Sequence, residues 1–308
     1  MLARLTGGVV SYPGGGSGPI ARVESTLRLD LAQAVRARRA SPSLCVSFSE
    51  RVGLPLSLLD PGTPQLLIAH LLTSRSKRRL QRLTRFLDRI ALTVVFSRAQ
   101  ERYLREEVGL APERARFISD KVDQQFFTPA PDASRGDYVV SVGREQRDYA
   151  TLVEAVRPLR RSCVIVPGSA WSHRELGELE LPDHVSVRRG LSYPELRDLY
   201  RNARVVVVPI VSGTDYAAGV NTVLEGMACG RPVVASDTSG LSGYVDHRVD
   251  GLTVAPGDAA ALRTAIEELW DDPAQASTLG AAGRATVERD RTVDGYAARV
   301  AEWMGAFV

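Results

Sequence analysis

Val205-Val206-Val207-Val208-Pro209, a loop from Ile210 to Ala218, and then Gly219-Val220-Asn221-Thr222-Val223-Leu224-Glu225-Gly226-Met227-Ala228-Cys229-Gly230-Arg231-Pro232-Val233-Val234-Ala235-Ser236 reads as strand, loop, helix, sharp stop, strand. The four valines run without alternation, which implies a strand covered on both faces. Gly219 permits close backbone approach, and Asn221 and Thr222 open a helix. The unpaired N–H groups of that first turn make Gly219, Val220, Asn221 and Thr222 a candidate phosphate site. Gly230 is placed to end the helix in a left-handed cap. Glu225 falls about one turn inside, too early for a routine solvent-face residue if a sheet covers the helix. A carboxylate there can accept both hydroxyls of a ribose.

The same alternation of short apolar runs with helical stretches extends in both directions. Before it stand Val9–Tyr12, Leu44–Phe48, Leu66–Ala69 and Leu92–Phe96, then Tyr138–Val142, Cys163–Val166 and Val185–Val187; it closes on Pro232–Ala235, and Leu252–Val254 follows. Strands joined by helical crossovers predict a doubly wound α/β fold with parallel sheets. The pattern restarts after Thr128, where Pro129, Pro131 and a polar run to Gly136 read as a linker. Two α/β domains are therefore expected, residues 1–128 and 137–290, joined by 129–136. In open α/β sheets ligands sit beyond the carboxyl ends of the strands. The tail predicts amphipathic helices from Asp258 to Trp270, Ala274 to Arg289 and Thr292 to Phe307. Val293, Tyr296, Val300, Trp303, Met304 and Phe307 form a core stripe on the last, and no 20–50-residue repeat suggests a solenoid.

At 308 residues, 44% hydrophobic and 24% charged, the chain sits at the globular average, far from the composition of disordered chains. No apolar run reaches the length of a membrane span, and Met1–Gly8 lacks the pattern of a secretory leader, so a cytoplasmic location is expected. Cys45, Cys163 and Cys229 stand apart in apolar or small-residue runs and read as buried free thiols. With four single histidines and no paired ligand spacing, no bound metal is expected. The net charge of +3 conceals an asymmetry. Residues 1–128 carry 20 Lys+Arg against 11 Asp+Glu, and residues 129–308 carry 19 against 25, so the first half suits an anionic partner.

Three blocks together resemble the retaining nucleotide-sugar glycosyltransferases of the GT-B fold, family 4. They are Leu224 to Ala235, the Val142-Gly143-Arg144 loop with Leu152-Val153-Glu154-Ala155 behind it, and Val122 to Pro129. The resemblance spans most of the chain. It implies two Rossmann-like domains facing a cleft, the first for the acceptor and the second for the donor, with the final helix (291–308) returning to the first. It also implies a UDP-, GDP- or dTDP-sugar donor, no further cofactor, and a hydroxyl acceptor that is a small molecule, a glycan or lipid-linked. Glu225 then matches the second glutamate of the family's Glu-x7-Glu motif. The first falls at Ala217, a departure that touches the sugar end of the site, with Asp215 two residues away as a weak substitute. Arg144 matches the arginine that meets the donor diphosphate. Arg147 stands near the family's lysine, with a planar fork in place of a point charge. His70 matches a histidine set against the donor sugar. Arg189, Gly190 and Leu191 border the nucleotide base, although Ser192 with Glu195 also reads as a capping box. Retention by front-face attack, with no metal, follows from the same resemblance. A non-catalytic accessory subunit and a nucleotide-sugar epimerase are the alternatives.

Two further features stay open. Pro13 to Pro19 forms a glycine-rich loop after a strand, with Gly15 and Gly16 as candidate acceptor or donor contacts, but its spacing is not that of a dinucleotide fingerprint. Arg75, Lys77, Arg78, Arg79, Arg82, Arg85 and Arg89 decorate a helix whose Leu80, Leu83, Leu87 and Ile90 share one face. A core-packed helix with a solvated basic face is favoured over peripheral docking on anionic lipid. Nucleic acid is a poorer third partner, for want of interleaved aromatics.

Overall fold

The structure, a computed structural model, describes residues 29–130, 136–143, 145–168 and 176–307. The expected strand Val9–Tyr12, Gly15, Gly16 and Arg144 lie outside the described residues. Two compact units divide the chain. One ends at Ile118 and takes up the chain again from Ala297; the other is Ser119–Tyr296.

In the first unit, strands β1 (Cys45–Ser47), β2 (Gln65–Ala69), β3 (Leu92–Val95) and β4 (Ala115–Phe117) form a parallel sheet in that order. Helix α1 (Leu31–Arg39) precedes β1, and α2 (Glu50–Leu59), α3 (Arg75–Thr84) and the short α4 (Arg98–Arg102) connect the strands. Strand β2 is buried at all five positions and β3 at all four, as continuous apolar runs require. The edge strand β4 was not legible in the sequence. Its three residues, only one of them buried, carry too little pattern.

One expectation is corrected here. Residues 75–89 are not a single helix, because α3 ends at Thr84, Arg85 takes a left-handed conformation with φ of 49°, and Phe86–Arg89 form a 3₁₀ turn. The break re-aims the apolar residues: Leu87 and Ile90 are buried in the core, whereas Leu83 is 74% exposed. Nor do all the cations face solvent. The Lys77 ammonium is largely buried against Glu50, and Arg78 pairs with Glu107 and covers the Tyr103 ring.

The second unit holds a six-stranded parallel sheet in the order β10-β9-β8-β5-β6-β7. The strands are β5 (Tyr138–Gly143), β6 (Ser162–Pro167), β7 (Val185–Val187), β8 (Val205–Val208), β9 (Val233–Ser236) and β10 (Leu252–Val254). Helices α5 (Tyr149–Val156), α6 (Tyr193–Asn202), α7 (Val220–Ala228), α8 (Ala259–Asp271) and α9 (Pro273–Asp290) accompany them, and α10 (Val293–Gly305) follows. Counting from β5, the strand order is 3-2-1-4-5-6, that of a dinucleotide-binding Rossmann domain. The core of this unit joins Val139, Val205, Val207 and Val234 of the sheet to Leu152, Ile266 and Leu269 of the covering helices.

The division falls between Ile118 and Ser119, before the junction expected from Pro129 and Pro131. Residues 119–130 belong to the second unit because their backbone is tied there. Val122 N–H donates to Arg291 O at 3.0 Å, and Arg201 donates to Thr128 O at 2.7 Å. Arg284 Nη1 reaches three carbonyls, those of Gln124, Phe127 and Ala228, at 3.0, 2.8 and 2.7 Å. Substituting Arg284→Ala strands these acceptors, and urea denaturation is expected to show a loss of about 2 kcal/mol; an unchanged midpoint would contradict this account. From Ala297 onward α10 belongs to the first unit. Of the expected stripe, Tyr296, Val300 and Trp303 are buried, Met304 and Phe307 are half-buried, and Val293, in the first turn of the helix, is exposed. No helix among the described residues is long and apolar enough to cross a membrane.

Candidate functional site

In the second sheet the chain leaves β5 toward β6 and β7, then returns to lay β8 on the other side of β5. The crevice beyond the carboxyl ends of β5 and β8 is thus the topological switch point, where doubly wound sheets bind ligands. Here the two loops are zipped together: Arg147 and Ile210 form an antiparallel bridge, Asp148 N–H donates to Pro209 O at 3.1 Å, and Val211 N–H donates to Gln146 O at 3.1 Å.

Helix α7 starts in this crevice. Its N-cap is Gly219, with φ of 90°, and no side chain caps the first turn. A side chain at Gly219 would crowd Val208 Cγ1 and Ile210 Cδ1, each 2.9 Å from the Cβ position. The glycine therefore meets two demands, a left-handed backbone and a close approach. Uncapped amide groups at a helix start carry partial positive charge and suit an anion. At the other end, Gly230 N–H donates to Met227 O and Arg231 N–H to Gly226 O at 2.9 and 3.0 Å, a Schellman motif that closes the helix where the sequence predicts.

Arg147 is 3% exposed. Its Nε and Nη2 donate to Val142 O at 2.9 and 2.8 Å, its Nη1 to Glu145 O at 3.2 Å, and its Nη2 also to Thr222 Oγ1 at 3.0 Å. Thr222 Oγ1 in turn donates to Val142 O at 3.0 Å. The sequence reading brings Arg147 and Thr222 to one place, and there they meet, but the guanidinium faces inward rather than into the crevice. Burial pulls its pKa down, opposed by Tyr149, Tyr200 and Glu225 nearby.

Glu225 lies one turn further along α7 and is partly buried. Burial pushes its carboxyl up to about 7, against the lowering influence of the Tyr200 hydroxyl and Arg147. The Tyr200 hydroxyl is buried close to Thr222 and Glu225 yet completes a well-formed hydrogen bond with neither. The sequence reading missed Tyr200. Its only signal was a tyrosine beside Leu196 and Leu199 on the apolar face of α6.

Arg189, Gly190 and Leu191 occupy the turn after β7, on the same carboxyl edge of the sheet, with Arg189 and Gly190 exposed. The capping box beside them is present: Ser192 N–H and Oγ–H both donate to Glu195, at 2.8 and 2.6 Å. Ala217, in place of a carboxylate, is half-buried, as is Asp215.

In the first unit His70 follows β2 at the carboxyl edge of its sheet. The imidazole stacks on Phe96, with ring centroids 5.0 Å apart and 28° between planes. Its backbone is held from both sides: the N–H donates to Glu50 Oε2 at 3.1 Å, and the carbonyl accepts from Gln100 Nε2 at 3.0 Å. Glu50 pairs with the Lys77 ammonium at 2.5 Å, which also donates to Leu71 O at 2.6 Å. Burial alone raises the Glu50 carboxyl, but Lys77 and the His70 N–H outweigh it and hold the carboxyl below its ordinary value. Glu50, Phe96 and Gln100 were not singled out in the sequence, and Lys77 was read only as one cation of a basic helix face. Glu50 and Gln100 each sit in the first helical turn after a strand, a position that flags a residue for the carboxyl edge of the sheet.

Comparison with known proteins fits this geometry. Residues 136–272, which hold the crevice, match the family described as Glycosyl transferases group 1. The fold is that of GT-B glycosyltransferases, and the matched stretch is of the group 1 type. It is 30% identical over 222 residues to the D-inositol 3-phosphate glycosyltransferase of Thermobispora bispora, covering 63% of this chain and 50% of that protein. The chain spans about half the length of the curated relatives it matches. Among solved structures, a sucrose-phosphate synthase from Thermosynechococcus elongatus superposes with a TM-score of 0.79 at 27% identity, covering 96% of this chain and 81% of that one. Anabaena HepE, solved in complex with UDP, shares the fold with a TM-score of 0.74 at 17% identity, covering 90% and 82%. The GT-B assignment thus rests on the whole described chain, and the group 1 match on the second unit.

Proposed function

We propose that this chain transfers a sugar from a nucleoside diphosphate to a hydroxyl acceptor, with retention at the anomeric carbon and without a metal ion. The observation that carries the reading is the uncapped start of α7 in the switch-point crevice, with the Arg147 cation behind it and Glu225 one turn on. That arrangement offers amides and positive charge to a diphosphate and a carboxylate to a ribose. UDP in the HepE complex supports the ligand class.

In the proposed reaction the bond from the anomeric carbon to the diphosphate breaks as the acceptor oxygen bonds to the same face. A phosphate oxygen of the leaving group takes the acceptor proton. The products are the glycoside and a free nucleoside diphosphate. Charge growing on the diphosphate is met by the α7 amides, by Arg144, and by the field of Arg147; this supplies the stabilisation that a metal gives in other transferases. Arg189 to Leu191 border the base and His70 orients the sugar.

The test is thermal denaturation with UDP, GDP and dTDP, followed by an assay of nucleoside diphosphate release from the corresponding sugars. A ligand at a hundred times its Kd adds about 2.7 kcal/mol to stability. Unchanged melting with all three at millimolar concentration overturns the donor site. Binding without release in the presence of sugar and alcohol acceptors points to an accessory role, and sugar isomerisation without acceptor to an epimerase.

A further inference from the structure

We propose that Arg147 is a positioning residue that never touches the donor: its buried guanidinium ties the end of β5 to the first turn of α7, so that strand end and helix amides close on one diphosphate. This rests on the donor-site reading and assigns Arg147 a role different from that of a second phosphate-contacting cation.

The donor count decides between the two. An arginine side chain has five N–H donors. Four are engaged within the protein, on Val142 O twice, on Glu145 O and on Thr222 Oγ1. The fifth is on Nη1, and a Cβ at Gly219 would sit 3.2 Å from that nitrogen, so it lies packed beneath the helix cap. A side chain at Gly143 would collide with the same arginine, at Nε and Cζ of the guanidinium and at Cγ of its stem. The glycines at the end of β5 and at the start of α7 are thus the two places where backbone must lie flat against Arg147.

Val142 O, Thr222 Oγ1 and the guanidinium form a closed triangle of hydrogen bonds spanning 80 residues of sequence. The main chain of Arg147 is fixed as well, by its bridge to Ile210. Among the described residues no carboxylate forms an ion pair with it. An unneutralised buried cation is tolerated where an anion completes the site, and its field acts through Gly219 and the helix amides without direct contact.

The planar fork matters here. A lysine has the charge but not the geometry to hold Val142 O, Glu145 O and Thr222 together. Arg147→Lys, Thr222→Val and the double variant are therefore compared with the parent chain for binding of UDP and GDP by calorimetry and of uridine and guanosine by ligand-observed NMR. Circular dichroism confirms that each variant is folded. Each single change is expected to weaken diphosphate binding roughly tenfold. The pair is also expected to lose about tenfold rather than a hundredfold, a coupling of about 1.4 kcal/mol. Nucleoside binding should be kept, so that the diphosphate-to-nucleoside affinity ratio falls.

Parent-like diphosphate binding by Arg147→Lys overturns the proposal in favour of a direct charge contact. Additive losses overturn it too, as do nucleoside and diphosphate affinities falling in step, which marks a general structural role. If Arg147→Lys does not fold, Thr222→Val, which keeps the guanidinium, decides by the affinity ratio alone. A parent chain that binds none of the diphosphates overturns the donor-site reading itself, and the proposal with it.

Discussion

Glu225→Ala is expected to weaken nucleoside diphosphate binding by roughly 30- to 1,000-fold, because it removes a carboxylate placed to accept two ribose hydroxyls, worth about 2–4 kcal/mol together. A 2′,3′-dideoxy nucleotide should bind parent and variant equally, which separates loss of this contact from disruption of α7. The carboxyl is raised to about 7 by burial, opposed by Tyr200 and Arg147. The ionised form accepts both hydroxyls, so affinity should rise between pH 6 and 8, and Glu225→Gln should flatten that rise beyond what the ligand's own phosphate contributes.

The stability effect has the opposite sense. A carboxyl whose folded pKa is raised is no burden below its unfolded value, near 4.5, where both states are protonated. As pH climbs toward 7 the unfolded chain gives up its proton first, and the folded state loses ground until its own carboxyl ionises. Glu225→Gln should therefore melt higher than the parent above pH 7 and lose that margin by pH 5. The same residue would then favour binding and oppose folding at one pH, as sites that keep a carboxylate in a poorly solvated place do. A Glu225→Gln variant whose melting advantage is the same at pH 5 and pH 8 would contradict the burial of this carboxyl.

Lys77→Met is the second large effect, on stability rather than binding. The Lys77 and Glu50 side chains are 15% and 9% exposed. Removing one partner of a buried pair leaves the other charge uncompensated, which costs about 3–5 kcal/mol, or roughly ten degrees or more in Tm. In the parent the Glu50 carboxyl is held below its ordinary value, so its contribution is present above the unfolded pKa and fades as pH falls through the folded one. In Lys77→Met the sign reverses, and the deficit should shrink on acidification as Glu50 takes up a proton. Adding Glu50→Gln to Lys77→Met should recover part of the loss, since the stranded charge is gone. Additivity of the two changes in a melting experiment would mean that the pair is not coupled. The pair also holds the main chain of His70, so a His70 role in orienting the sugar would appear as a lower kcat in the rescued double variant.

Much of the second unit was legible because its strands are buried on both faces. Runs such as Val205–Val208 and Val233–Ala235 are short, β-branched and bounded by Pro209, Gly230 and Pro232, which reads as buried strand. Gly219 and Gly230 punctuate α7 from both ends, so its start, its stop and the position of Glu225 could be placed to within a residue. Strand β4 escaped because three residues at a sheet edge need little hydrophobicity. The 75–89 helix was drawn too long because its break depends on Arg85 adopting φ of 49°, a conformation that nothing about an arginine announces. Tyr200 and Glu50 carry polar groups whose meaning lies in neighbours far along the chain.

By itself the sequence determined the α/β class, the parallel sheets, the helix that begins at Gly219 and the carboxylate one turn into it, because periodicity and glycine placement are local and act on the backbone directly. The tertiary structure decided which way Arg147 points, that Lys77 is a buried partner rather than a surface cation, and where one unit yields to the next. These depend on hydrogen bonds and burial between residues tens of positions apart, as when Val142 O and Thr222 Oγ1 compete with solvent for one guanidinium and win.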